Sequence, residues 1–159
     1  MQTDALAKVS WRAQPRSFIA LMALYESNYV RLGWLAPDIG ALRGTHRSSV
    51  AHDCDLLLIV REHSRYTNTL DLTYRLTCDD GIDVTSPDMR LRIYRDARMV
   101  EAQQWCVKPS HSALRALRGC CERELDHRWA RNIMLNKWLE YCVERGHGFS
   151  PATRTDRPT

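Results

Sequence analysis

The sequence predicts an α+β fold: an N-terminal helix, a four-stranded antiparallel meander and a C-terminal helix, with the helices packed on one sheet face. Three observations carry this. Phe18, Met22, Tyr25, Tyr29 and Leu32 recur at spacings of three and four, an apolar stripe at helical period. Residues 69–78 alternate strictly, with Leu70, Leu72, Tyr74, Leu76 and Cys78 against Thr69, Asp71, Thr73, Arg75 and Thr77. Such alternation marks a strand buried on one face. Trp129, Asn132, Leu135, Leu139 and Cys142, widened by Trp138, form a second helical stripe that stops at Gly146, the expected left-handed cap.

The elements follow in order. Residues 1–14 lack periodicity and read as a loose arm, and Pro15 suits a first helical turn, where its missing N–H costs nothing. Pro37 closes the first helix, because the residue before a proline is pushed out of the α region. Residues 38–48, with two glycines and small polar residues, read as a loop. In "HDCDLLLIVRE", Leu56, Leu58 and Val60 share one face while Leu57 and Ile59 take the other, which predicts an interior strand covered on each side. "CDDG" ends the second strand, and "SPD" is a further turn signal. A third strand then places Met89, Leu91 and Ile93 inward, with Arg90, Arg92 and Tyr94 outward. "RDAR" turns the chain into a fourth strand over 99–106, which Pro109 stops. Short connections favour antiparallel neighbours. Residues 107–122 are poorly patterned, and the last helix runs from about 124 to 145. The domain is therefore placed at 15–146, with 147–159 a disordered tail of little apolar content.

Composition narrows the function classes. At 159 residues the chain is one domain's worth. No apolar run approaches the ~20 residues that cross a bilayer. The first residues lack the apolar core of a signal peptide, so a cytoplasmic location is expected. Cys54, Cys78, Cys106 and Cys142 lie within regular patterns and read as small buried groups of a reduced protein. A zinc site from His111, Cys120, Cys121 and His127 lacks any established ligand spacing, so no metal and no cofactor are expected. The formal charge is +4, and every cation except Lys8, Lys108 and Lys137 is an arginine, whose planar fork suits carboxylate or phosphate.

Several stretches carry a family resemblance: "YESNYVRLGWLAP", the hairpin residues Glu62, Ser64, Arg65, Tyr66 and Thr67, "PDMRLRIYRDARMVEA", and "NKWLEYCVERG". In this order, across roughly 15–146, they resemble the YqiB-like proteobacterial family (domain-of-unknown-function family 1249). The resemblance implies a small bacterial protein with no assigned reaction, cofactor or substrate. His63 sits at a variable position of the hairpin pattern.

"REHSRY", residues 61–66, is the stretch most like an active site. If the strand runs straight through it, Glu62 and Ser64 share a face with Val60 and His63 points away. A serine nucleophile then has no base within reach, so a Glu–His–Ser triad fails. Glu62 would end a buried face and need a partner. Arg65 or another arginine is expected to pair with it and close the hairpin, with Tyr66 covering the edge. The functional counterpart is an anion or acidic-peptide site built from Arg65, Tyr66, Arg90 and Arg92, with Arg75 on the same exposed side. Asn28 and Asn132 are expected to bond backbone at a helix–sheet contact, since buried amides are normally satisfied. The alternative is that they floor a polar pocket.

The leading expectation is a non-catalytic binding or adaptor module for an anionic ligand or partner protein, without a membrane role. An enzyme with Glu62 as general base, and Arg65 and Tyr66 orienting an anionic substrate, is the second reading. RNA binding by a basic sheet ranks last, because the charge is modest and no RNA-binding signature is present. Deleting residues 1–12 and 150–159 should leave the thermal midpoint nearly unchanged, since neither segment buries much apolar surface. A large drop in the melting curve of the truncated protein would contradict that reading.

Overall fold

The computed structural model of the protein describes residues 17–77, 81, 83–105 and 124–151. Helix α1 spans Phe18–Leu35. The Ser17 hydroxyl accepts the Ala20 N–H at 3.1 Å, satisfying one of the orphan donors of the first turn. Ala36 donates to the Leu32 carbonyl, and Pro37 follows. Pro15 lies outside the described residues. The buried face is Ala20, Leu21, Leu24, Tyr25, Asn28, Leu32 and Leu35, rotated from the predicted stripe. Phe18 is 69% exposed. The true face is equally periodic, but it uses alanine and asparagine where the larger aromatics suggested another line.

The sheet has five strands in sequence order, all antiparallel: β1 (Thr45–Ser48), β2 (Asp55–His63), β3 (Thr67–Thr77), β4 (Asp83–Tyr94) and β5 (Met99–Trp105). The meander is as expected, with one strand more. Strand β1 falls in the stretch read as a loop, because its inward residues, His46 and Ser48, are polar and give no apolar alternation. The other correction is at "SPD": β4 runs straight through it. Ser86 and Pro87 stand opposite Tyr74 at a register shift, where Thr73 pairs with Asp88 and Arg75 with Thr85. A bulge is one of the few interior positions that tolerates a proline.

Register fixes the two faces. Leu58, Leu72 and Met89 form one cross-strand row, Val60, Leu70, Leu91 and Ala102 the next, and Asn68, Ile93 and Val100 a third. Buried members of these rows form one core with Leu32 and Leu35 of α1 and with Leu135, Trp138, Leu139 and Cys142 of helix α2 (Glu124–Glu144). The two helices contact each other, and both contact β5. Helix α2 ends as expected at Gly146, with φ +90°. The Gly146 N–H reaches the Val143 carbonyl and the His147 N–H the Cys142 carbonyl, the paired bonds of a Schellman cap. Beyond it the chain returns to the core. His147 and Phe149, expected in a disordered tail, are buried, and the Phe149 N–H donates to the Leu35 carbonyl at 2.8 Å.

Among the described residues the far edge of β5 has no strand beside it, and side chains cap it instead. Asn132 Oδ1 accepts the Ala102 N–H at 2.8 Å, and Arg131 Nε donates to the Ala102 carbonyl at 3.4 Å. Asn28 Nδ2 lies 3.5 Å from the Val100 carbonyl and 3.3 Å from Asn132 Oδ1. Asn136, missed from sequence, donates to Asn28 Oδ1 at 3.0 Å. The asparagines therefore bond backbone and one another, as the structural reading expected.

Asn132→Leu keeps volume but orphans the Ala102 N–H and weakens the hold on Asn28. Each buried group left unsatisfied should cost roughly 1–3 kcal/mol in urea unfolding. Combining it with Asn28→Leu should cost less than the sum of the single losses, because the two amides share a bond.

Candidate functional site

The 61–66 corner is shaped by a β-bulge. Val60 pairs with Leu70, yet Glu62 pairs with Thr69, so Arg61 is an extra residue. One inserted residue exchanges the faces of everything after it. Glu62 therefore lies with Thr69 on the side opposite Val60, and His63 lies with Asn68 on the core side. This overturns the placement of Glu62 at the end of the buried face. Glu62 is exposed and forms no ion pair among the described residues, so the expected Glu62–Arg65 pair is not made. His63 still points away from Glu62, and its Nε2 lies 3.2 Å from the Gly40 carbonyl.

A different arginine closes the hairpin. The Arg95 guanidinium donates to the carbonyls of Ser64 and Arg65, and its backbone N–H donates to Tyr66. The Ser64 N–H and hydroxyl both donate to the Thr67 carbonyl, at 2.8 and 2.9 Å. A Cβ at Gly40 would stand 2.8 Å from the end of the Arg95 side chain, so the 38–44 segment passes close beside this clamp. At the tip, the Arg65 guanidinium sits 5.1 Å from the centre of the Tyr66 ring, which is 50% exposed.

The sheet face opposite the core carries the other arginines. Register aligns Asp71, Arg90 and Gln104 in one row and Glu62, Thr69, Arg92 and Glu101 in the next. Asp71 is only 6% exposed. Arg61 Nε donates to its Oδ2 at 2.6 Å, while Arg90 Nε donates to Oδ1 at 2.8 Å and Nη2 to Oδ2 at 3.3 Å. Burial alone would raise the Asp71 carboxyl, but the hydrogen bonds and charges of Arg90 and Arg61 outweigh it and hold the group low. Asp88 goes the other way: burial and then the Asp71 charge raise it. A small cleft of about 30 Å³ lies between Asp71, Asp88, Arg90 and Gln104. Arg92 stacks over Tyr94 at 5.9 Å, and its buried Nε has no hydrogen-bond partner among the described residues. Arg75 stands opposite Asp55 toward the other end of β3, away from this group. The structure thus brings Arg90 and Arg92 together, adds Arg61, and leaves Arg65 and Tyr66 at the corner. Arg61 was missed because only the bulge aims it at Asp71.

A second cluster had no sequence signal. His147 Nε2 lies 3.0 Å from Asp53 Oδ2, and its Nδ1 lies 3.1 Å from Ser48 Oγ. Tyr74 donates to Asp53 at 3.2 Å and contacts Cys142 Sγ at 3.3 Å. Burial raises the Asp53 carboxyl, and hydrogen bonds from the Cys54 N–H, His147 and Tyr74 more than reverse it. Since a carboxylate only accepts, Nε2 carries the proton and Nδ1 is free to accept from Ser48. The chain of bonds resembles a serine–histidine–aspartate set, but the Ser48 hydroxyl also accepts the Gly148 N–H at 3.1 Å, and the imidazole is fully enclosed. Neither the Asp71 cleft nor an apolar one of about 190 Å³ beside Tyr29, Gly33 and Pro37 is lined by these residues. The cluster fastens the end of α2 to β1. Burial also pushes the Cys142 thiol up to about 11.

Among the described residues, no group of three or more His, Cys, Asp or Glu side chains is arranged to hold a metal ion. His111, Cys120 and Cys121 lie outside them. No described helix is long and apolar enough to cross a membrane.

A family model described as "Protein of unknown function (DUF1249)" matches residues 31–148. The chain belongs to this family. A search of curated proteins and a search of solved structures each returned no match. The DUF1249 match takes in the corner, the arginine face and His147. It starts within α1, after Asn28, and its description names no activity.

Asp88 yields a pH prediction for this DUF1249 domain. Its carboxyl is raised on folding, so the folded state binds its proton more firmly than the unfolded chain does. Stability then falls as pH rises from the ordinary aspartate value of about 3.9 through the raised one. Asp88→Asn should melt above the parent protein at pH 7, with the difference closing below about pH 4. Melting curves across that range check it, and a variant less stable than the parent at pH 7 would refute the assignment.

Proposed function

We propose that the domain is a non-catalytic binding or adaptor module, which recognises an anionic ligand or partner protein through the arginine face and the adjoining hairpin corner. The observation that carries this reading is the convergence of Arg61 and Arg90, from separate strands, on the nearly buried Asp71, with Arg92 in the neighbouring row. The corner adds a stacked Arg65–Tyr66 pair on a turn held by Arg95. Tyrosine and arginine on rigid supports are the side chains that most often dominate binding energy. Ordering them beforehand lowers the entropy lost on association.

The two other readings have less support. As a general base Glu62 would need a substrate site beside it, and it is an exposed corner residue lining neither cleft. RNA binding is opposed by the acids interleaved on the same face, Glu62, Asp88 and Glu101, which repel a polyanion.

The test uses a capped heptapeptide of alternating threonine and glutamate, titrated while the backbone and arginine side-chain resonances are followed. Binding should shift Arg61, Arg92 and Tyr66. The Arg61→Gln/Arg92→Gln double variant, shown to be folded by its amide spectrum, should bind roughly tenfold or more weakly, as expected when charge-assisted contacts are lost. No binding by the parent protein, or equal binding by the double variant, would overturn the reading.

A further inference from the structure

Asp71 is the least exposed charged side chain of the arginine face, and it belongs to the central strand of the sheet, between β2 and β4. Its backbone is therefore fixed by a ladder on each side. Both carboxylate oxygens are engaged, Oδ1 by Arg90 and Oδ2 by Arg61. Arg61 itself occupies the inserted position of the bulge, the kind of site that re-aims a side chain. Its side chain is 53% exposed. Among the described residues its Nε alone is bonded, and the Nη groups make no hydrogen bond. A guanidinium is planar and rigid, so fixing Nε against Asp71 also fixes where the pair of Nη N–H groups points.

We propose that Asp71 is the positioning residue of this surface: it holds the Arg61 fork so that its Nη edge receives a carboxylate from an acidic segment of a partner protein. This rests on the binding-module reading and narrows its ligand. The choice of a protein carboxylate follows from charge. Glu62 stands in the row next to Asp71, and Asp88 lines the same cleft as Asp71. A polyanion would meet those acids, whereas a segment carrying separated carboxylates can place one at Arg61 and offer N–H donors to the others. A carboxylate also matches the flat two-pronged edge of a guanidinium.

Charge and position make opposite forecasts for one variant. Asp71→Asn raises the net charge by one, so attraction alone would tighten binding of the threonine–glutamate heptapeptide. Loss of positioning should instead weaken it roughly tenfold, the scale of a charge-assisted bidentate contact. Arg61→Lys supplies a second measure that leaves Asp71 in place: it keeps the charge, removes the fork, and should weaken binding by a similar factor. In the parent protein, inorganic phosphate at matched ionic strength should not displace the peptide. The Arg61 Nε–H resonance should exchange slowly in the parent and quickly in the Asp71→Asn protein. Equal or tighter peptide binding by Asp71→Asn, parent-like binding by Arg61→Lys, or displacement by phosphate would each overturn the positioning role while leaving the broader reading intact. That reading falls separately, if the parent protein does not bind the peptide or the glutamine double variant binds it equally.

Discussion

The structure depends on how the sheet ends at β5. A sheet closed by a strand leaves a row of backbone donors and acceptors with nothing to pair, and burying that row unpaired costs free energy at every group. Here the row meets the amides of two helices. Asn132 takes the Ala102 N–H, Asn28 approaches the Val100 carbonyl, and the two amides bond each other. Asn136 continues the chain back to Asn28 and Ser27. The contact is polar, so it is directional in a way that leucines are not. Sliding α2 by one residue along its axis would break the bonds that Asn132 and Asn136 make, while an apolar contact would tolerate the shift. The asparagines contribute register, and the apolar core contributes most of the favourable burial.

With the frame fixed, a single inserted residue decides what the 61–66 corner presents. Strand parity is strict, so the bulge at Arg61 turns Glu62 to the arginine side and His63 toward the core side. The same insertion gives Arg61 its reach to Asp71. One irregularity thus removes the acid from a buried position, where it would have needed a partner, and delivers a cation to an acid that is buried. Arg95 then does what Arg65 was expected to do, closing the turn through backbone carbonyls. That frees Arg65 to lie over Tyr66 at the exposed tip.

Much of the fold was legible because the relevant rules are periodic. The alternation of Leu70, Leu72 and Tyr74 and the stripe of Leu135, Leu139 and Cys142 each report a burial pattern that the structure contains. The parts that escaped share a physical reason. Strand β1 buries histidine and serine, and α1 buries asparagine and alanine, so hydrophobicity alone pointed elsewhere. The bulge at Arg61 leaves no compositional mark, since an arginine interrupts no hydrophobic period, and the serine–proline pair within β4 reads as a turn until the pairing on either side of it is known. Of the candidate site, Arg90 and Arg92 were visible as outward residues of a strand. Their relation to Asp71 was not, because it joins residues nearly twenty apart and needs the register of β3 and β4. The Asp53–Ser48–His147 cluster lies further still from view, linking two loops and a strand that share no pattern.

The two polar clusters can be told apart by what their donors have left to give. Around His147 the accounting is closed: the imidazole has a partner at each nitrogen, Ser48 takes a backbone N–H as well, and Asp53 is bonded by Cys54, Tyr74 and His147. A group with every bond satisfied inside the protein stabilises the fold, and it has nothing to offer a ligand without first breaking something. Around Asp71 the acid is closed in the same sense, but Arg61 is not, since a guanidinium carries five N–H donors and its Nε accounts for one. Burial of the acid and exposure of the arginine together give a donor that is both fixed and accessible. Fixing the donor in advance limits the entropy lost when a carboxylate arrives, and keeping it half in solvent limits the desolvation. The buried His147 set has the connectivity of a catalytic site without an opening, whereas the Asp71 set has an opening and no proton-transfer chain. The first accounts for how the chain end is held, and the second is the surface on which the proposed recognition rests.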